Sequence, residues 1–547
     1  LGLFEEAVEA YRRVVAGAPD DWESWNNLGN SLSATGQLQE AVSALRQSIE
    51  LEPAVAPTRL NLARALLDAG DEEEARQVLH NAASDFPDDP VPWQELHALA
   101  RASGRDDEAL ASLNEAVRRS PSDPALWIAL GHEHGSRLEM PEAEQAYQRA
   151  VDLDPSNADA HVGLAMVFEH EVREKDLDQL AILAAQRGVG EAQRHLIEAV
   201  SLCRHKRFDE ALRKLASVPA EVEPIRRAQL LGQAHDGLGQ AVEAFAAYAE
   251  MNELVAQDPS NPASRAAQMR ERLRHEIGLI SAEWRRNWTT LDTSGERASP
   301  VFLVGFPRSG TTLLDTLLMG HPDVEVLEER PTLPVVDRLV GGVEALARMD
   351  DDQLREARQA YFAEAGRHTA LAPGKLLVDK SPLFMNRLPL IMRLFPDAKI
   401  ILALRHPADV VLSCFVSNFR PNPAMANFLQ LETAAEFYDL SFSYWKKARA
   451  LLAPAVHEVR YERMVTDAKG ELRPLIEWLG LDWREQLLDH RKTAAQRGLI
   501  TTASYAQVRE PLYQRSMGRW QRYREQLAPV LPILQPWAER FGYELTP

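Results

Sequence analysis

From residue 1 to about residue 285 the apolar positions recur with helical spacing, and they also recur at a longer period. Prolines stand at Pro19, Pro53, Pro87, Pro121 and Pro155, a constant interval of 34. At a fixed offset after them come Trp25, Trp93 and Trp127, with Arg59 and His161 in the same slot. Leu28, Leu62, Leu96, Leu130 and Leu164 follow three residues later. A row of small residues runs through Ala7, Ala41, Ala75, Ala109 and Ala143. Each unit predicts two helices: small residues allow close approach, large apolar ones fill between, and proline ends the second helix. Asp20, Asp88, Ser122 and Ser156 are expected to cap the helix that follows. After Glu169 the register loosens. Degenerate units are expected around Ala211 and Ala244, then a long helix through Arg265 to Trp284.

Past residue 298 the pattern changes period. Val301 to Val304 is a short apolar run of strand type, Gly305 to Gly310 is turn-prone, and Thr311 to Met319 returns to helical spacing. Strand, glycine loop and helix together aim backbone N–H groups and a helix N-terminus at a phosphate. Gly305 and Gly310 have the spacing of a nucleotide-triphosphatase loop, but Thr311 occupies the lysine position of that signature. A second apolar strand, Lys399 to Leu404, ends in Arg405 where an ATPase would place a magnesium-holding Asp. Two arginines, Arg308 and Arg405, at neighbouring strand ends suit an anion without a metal.

Composition narrows the class. A chain of 547 residues, 45% hydrophobic and 26% charged, has the length of about three to four domains and the balance of folded protein. No run nears ~18 uninterrupted apolar residues, so no membrane-spanning helix is expected. Cys203 and Cys414 are too few for a disulfide framework or a four-cysteine zinc site. Residues 1–295 hold 29 Lys+Arg against 50 Asp+Glu, while residues 296–547 hold 32 against 31. Such an acidic first half argues against nucleic acid as the partner. The first residue is Leu1, so residues ahead of it are expected, and a cytoplasmic setting fits the cysteine count.

The 34-residue units resemble the tetratricopeptide repeat. The resemblance implies an all-α solenoid over 1–285, regular over 1–168 and degenerate over 190–285, with a groove for a protein or peptide partner. "PRSGTT" from Pro307 and "LRHPADVVLSCF" from Leu404 resemble the sulfotransferase superfamily. That likeness implies a P-loop-like α/β domain with a mostly parallel sheet over 298–547. It also implies 3′-phosphoadenosine 5′-phosphosulfate (PAPS) as donor, PAP as product, and no metal. On it, Pro307, Arg308, Ser309, Gly310, Thr311 and Thr312 cradle the 5′-phosphosulfate, and Arg405 with Ser413 takes the 3′-phosphate.

Within the superfamily the protein-tyrosine branch and its bacterial relatives are most similar. Glu329 matches their catalytic carboxylate, with Glu328 as rival. Lys380 matches the lysine at the transferring group, a plain ion pair with Asp379 being the alternative. Tyr461 follows a segment similar to a central strand of the family and is expected near the nucleotide. Ser504 matches the transition-state serine, and Arg519, or else Arg515, a phosphate ligand. Arg405 is followed by His406-Pro407, where the animal tyrosine enzymes have an acidic residue and glycine, and Pro331 replaces an arginine of theirs. A protein tyrosine, a glycan and a small alcohol stay open as acceptors, as does a homodimer. A scaffold with a non-catalytic nucleotide-binding domain is the rival reading.

Overall fold

A computed structural model describes residues 2–286, 288–496 and 516–545. The chain divides into two compact units: residues 1–167 with 180–190, and residues 168–179 with 191–547.

The first unit is a run of helix pairs, among them Trp22–Ala34 with Leu38–Leu51 and Pro124–Ser136 with Met140–Leu153. The row of small residues explains the pairing. A Cβ on Gly29 would stand 2.5 Å from Leu45 Cγ, and Cβ atoms on Gly131 and Gly163 would stand 2.6 and 2.4 Å from the Tyr147 ring. Large side chains thus sit where the facing helix has none. Ala41, Ala75, Ala109 and Ala143 are fully buried. The proline-to-tryptophan offset also has a cause. Trp25 Nε1 donates to Pro19 O at 3.0 Å and Trp127 Nε1 to Pro121 O at 2.9 Å. Arg59 fills the slot with a different donor, its Nη2 reaching Pro53 O at 3.1 Å. In the third unit Arg119 Nε takes Pro87 O at 2.7 Å and the guanidinium lies 4.8 Å over the Trp93 ring. Capping falls one residue later than the sequence reading placed it. Asp123, not Ser122, accepts from Ala125 N at 2.9 Å, and Asn157, not Ser156, accepts from Ala160 N at 3.0 Å. The proline turn takes one more residue before the helix starts.

In the second unit the helices Pro224–Gly237, Ala241–Ala256 and Pro262–Leu279 keep the repeat's grammar, with Tyr248 seated on Gly232 as Tyr147 is on Gly131. They share one hydrophobic core with the α/β region, in which Tyr248, Met251, Leu273 and Ile280 join Phe302, Val304 and Leu402. The packing boundary therefore falls near residue 190, ahead of the change in sequence character expected at 285.

Five strands, β1 (Val301–Gly305), β2 (Val324–Glu328), β3 (Leu376–Lys380), β4 (Lys399–Leu404) and β5 (Ala455–Arg460), form a sheet in the order β2-β3-β1-β4-β5. All four pairings are parallel. Alternation along the strands sends Phe302, Val304, Ile400 and Leu402 into one core and Val301, Leu303, Ile401 and Ala403 into another. Both faces are therefore covered, as parallel sheets require. The segment before Tyr461 is β5, an edge strand and not a central one. Its outer positions Ala455 and Glu458 are exposed, which an edge tolerates.

Candidate active site

Ligands of open α/β sheets bind beyond the carboxyl ends of the strands, where the strand order reverses. Here those ends are Gly305, Glu328, Lys380 and Leu404. A Cβ on Gly305 would lie 2.7 Å from Ala403 O, so only glycine permits the β1–β4 spacing just before the loop. The loop turns on Arg308 at φ 70° and Gly310 at φ 91°. Gly310 is the N-cap of the Thr311–Met319 helix and offers it no side-chain cap, so the helix N-terminus opens on this turn. Ser309, Thr311 and Thr312 are buried around this turn.

The loop and the second motif meet. Arg308 Nε donates to Ser413 Oγ at 3.1 Å, and Arg405 Nη1 donates to Arg308 O at 3.0 Å. Arg405 Nη2 donates to Ser516 O at 2.6 Å, and the guanidinium lies 4.8 Å over the Tyr461 ring. That ring covers Gly310, where a Cβ would stand 2.5 Å from Tyr461 Cδ2. The buried Arg405 Nε has no hydrogen-bond partner among the described residues. A buried guanidinium with a donor to spare suits a phosphate oxygen.

Across β1, Lys380 Nζ stands 2.9 Å from Glu329 Oε1, 3.2 Å from Glu328 Oε1 and 3.2 Å from Asp315 Oδ2. Burial of Lys380 pulls its pKa down, but Glu329, Asp315 and Glu328 outweigh that and hold it above the usual lysine range. The register sets this up, since Glu328 on β2 and Leu303 on β1 both pair with Lys380. Glu329 adopts φ 49°, and its N–H donates to Lys380 O at 2.7 Å. A left-handed conformation at a non-glycine residue costs on the order of 1–3 kcal/mol and gathers at functional sites. Its side chain is 37% exposed against 8% for Glu328. Glu329 is thus the carboxylate that a substrate can reach.

Lys380 does not pair with Asp379, because consecutive strand residues point to opposite faces. Asp379 is fully buried, and its Oδ2 accepts from Tyr361 Oη at 2.7 Å and from Thr332 Oγ1 at 2.7 Å. Burial raises its pKa to about 6, and the two hydroxyls and Lys380 hold it from rising further.

The structure brings together Arg308, Ser309, Gly310, Thr311, Thr312, Arg405, Ser413 and Tyr461 on one side, and Glu329 with Lys380 on the other. Pro307 joins the first set through its carbonyl, 3.5 Å from Cys414 Sγ. Arg519 is engaged elsewhere, its guanidinium lying on Asp236 at 3.2 Å. Ser504 and Arg515 lie outside the described residues. Sequence reasoning missed Asp315 and Asp409. Asp315 is an acidic residue inside the leucine pattern of a short helix, and that mismatch was the available signal. Asp409 sits one turn before Ser413, and its carboxylate accepts from Gly518 N at 2.7 Å and Trp520 N at 2.8 Å.

Comparison with known proteins identifies two families along the chain. The family described as "Sulfotransferase family" matches residues 300–485. Tetratricopeptide repeat families match residues 32–100, and residues 1–56 and 128–191. An uncharacterized protein of Aquifex aeolicus is 29% identical over 249 residues, covering 43% of this chain and 32% of that protein. Protein-tyrosine sulfotransferase 1 of Danio rerio is 25% identical over 271 residues, covering 45% of this chain and 72% of the relative. Nodulation protein NoeE of Sinorhizobium fredii is 29% identical over 215 residues, covering 33% of this chain and 50% of the relative. The chain thus spans a minor part of the Aquifex protein and half of NoeE. The solved sulfotransferase domain of the Synechococcus PCC 7002 olefin synthase is 23% identical, with a TM-score of 0.32, covering 47% of this chain and 99% of that one. No helix among the described residues is long and apolar enough to cross a membrane. The chain carries tetratricopeptide repeats followed by a domain of the sulfotransferase family.

Proposed function

We propose that this protein transfers a sulfonate group from PAPS to a hydroxyl of a macromolecular acceptor held by the repeats. The observation that carries the reading is the pairing of two half-sites across β1. One is a reachable carboxylate, Glu329, 2.9 Å from a buried ammonium. The other is the Arg308–Ser413–Arg405 line, with its spare buried N–H.

In this reading Glu329 takes the acceptor's proton as the new oxygen–sulfur bond forms. The bond from sulfur to the 5′-phosphate oxygen breaks, and PAP leaves with that oxygen's electron pair. Lys380 and the loop N–H groups face the charge that develops there, the term that usually contributes most. Arg405 and Ser413 hold the 3′-phosphate. The donor anhydride is already activated, so the scheme calls for no metal and no covalent enzyme intermediate. Ser504 and the phosphate-loop hydroxyls keep the roles that the resemblance gives them. The names of the protein-tyrosine sulfotransferase relatives make a protein tyrosine the first acceptor to try.

Incubation with ³⁵S-labelled PAPS and fractionated lysate tests the reading, with label expected in protein. Deleting residues 1–155 should spare PAP binding and abolish most transfer to that acceptor, since remote binding raises the effective concentration of the hydroxyl. Full-length rates from the truncated chain would move the repeats to assembly or localisation and favour a small acceptor. PAP binding without transfer of label to any acceptor would favour the rival scaffold.

A further inference from the structure

Arg519 stands where a phosphate ligand is expected, yet its guanidinium is engaged by Asp236. Its Nε reaches Asp236 Oδ1 at 3.4 Å and its Nη2 reaches Oδ2 at 3.2 Å. Tyr523 Oη donates to the same carboxylate at 2.5 Å, and Arg522 Nη2 lies 3.3 Å from it. Arg522 Nη1 also donates to the backbone carbonyl of Asp236 at 3.2 Å. Five contacts from one short turn, Arg519–Tyr523, thus converge on one residue of the Pro224–Gly237 helix.

The other side of that segment is tied to the donor half-site. Ser516 O accepts from Arg405 at 2.6 Å, while Gly518 N and Trp520 N donate to Asp409. The Trp520 ring stacks on His406 with centroids 5.0 Å apart. The helical hairpin itself reaches the Pro407–Phe415 helix that carries Ser413. Phe245 stacks on Phe415 at 4.9 Å, and Asn252 Nδ2 donates to Phe415 O at 2.9 Å. Residues 516–523 are therefore clamped between Asp409 and Asp236, with Arg405 bonded to the clamped chain.

We propose that Asp236 is a positioning residue of the donor site: through Arg519 and Tyr523 it fixes the segment against which Arg405 is aimed at the 3′-phosphate. A hairpin with repeat grammar has thereby become part of the nucleotide site, and Arg519 is an anchor, not a phosphate ligand. The inference rests on the PAPS reading above.

A double-mutant cycle on the full chain tests it. PAP and adenosine 5′-phosphosulfate, which lacks the 3′-phosphate, are titrated into wild type, Asp236→Ala, Arg519→Ala and the double variant, with melting curves for each. Both single variants are expected to weaken PAP by a similar factor, about fivefold or more, and the double variant no further, as residues acting as one unit are non-additive. Adenosine 5′-phosphosulfate should change less than twofold, which a general loss of structure would not allow. If either alanine variant fails to fold, Asp236→Asn and Arg519→Lys replace the pair under the same criteria. A loss of PAP affinity on Arg519→Ala that is far larger than that on Asp236→Ala, and that persists in the Asp236→Ala background, makes Arg519 a direct ligand and overturns the proposal. Unchanged PAP affinity in both single variants overturns it while the donor reading stands. Wild type that fails to bind PAP overturns both.

Discussion

On the β2–β3 flank of the sheet, charge is gathered: Lys380 is fully buried with Asp315, Glu328 and Glu329 all within 3.2 Å of its ammonium. On the β1–β4 flank, charge is kept unspent. Arg405 bonds to two backbone carbonyls and lies on an aromatic face, and the buried Asp409 beside it gives its oxygens to backbone N–H groups. Neutral hydrogen-bond partners hold the guanidinium in place and cancel less of its field than direct ion pairs would, with Asp409 nearby but hydrogen-bonded elsewhere. Carboxylates, by contrast, cancel an ammonium until a ligand takes their place. The first flank is built to exchange partners during a reaction, the second to wait for an anion. They should therefore fail in different measurements.

The largest expected effect is on the β2–β3 flank. Glu329→Gln should lower turnover by about 10² or more, the scale of a lost general base, with PAP affinity within a few fold. Glu328→Gln should be milder, because its side chain is nearly closed to solvent. Single-turnover transfer from labelled PAPS reads both. A larger loss at Glu328 would move the base by one residue.

Next comes the β1–β4 flank, in binding. Arg405→Ala should weaken PAP by about 10-fold or more, the scale of a charge-assisted hydrogen bond, and adenosine 5′-phosphosulfate much less. Turnover at saturating donor should move little. Equal losses for the two nucleotides would erase the distinction between the flanks.

How far the sequence carried this picture differs along the chain. Strand, loop and helix at 301–319 and the strand at 399–404 were legible to within one residue, because a parallel strand buried on both faces reads as an unbroken apolar run. The repeats to residue 168 were legible because each unit packs on copies of itself, so one set of spacings repeats. The helices from 224 to 285 answer to a different surface, the face of an α/β core, and their spacing drifts as their partners change. The charge follows the same line. Residues 1–190 hold 15 Lys+Arg against 35 Asp+Glu, and residues 191–295 hold 14 against 15. Within the site, residues in contiguous motifs were readable. Asp315, Asp409 and Asp236 were not, because each acts on a partner distant in sequence, such as Lys380, Gly518 or Arg519. The partner of Arg519 was hidden for the same reason: nothing local announces Asp236, 283 residues away.

The smallest expected effect separates the charge cluster from burial in general. Asp379 adjoins Lys380 in the chain but points into the opposite core, where hydroxyls and not ions meet it. Its folded pKa, about 6, lies above the ordinary value of 3.8, so the native state favours the protonated form. The stability this group contributes is fully present below pH 3.8 and is lost as pH rises through about 6. Wild type should therefore gain on Asp379→Asn as pH falls from 7 to 4, by at most about 3 kcal/mol at roughly 1.4 kcal/mol per pH unit. Melting temperatures of both proteins across that window measure it. Lys380 itself should show no such crossing, since it keeps its proton well above that range. A constant gap between the two melting curves from pH 4 to 7 would mean that the two hydroxyl hydrogen bonds fully offset the burial of Asp379, and that burial alone does not set pH sensitivity in this sheet.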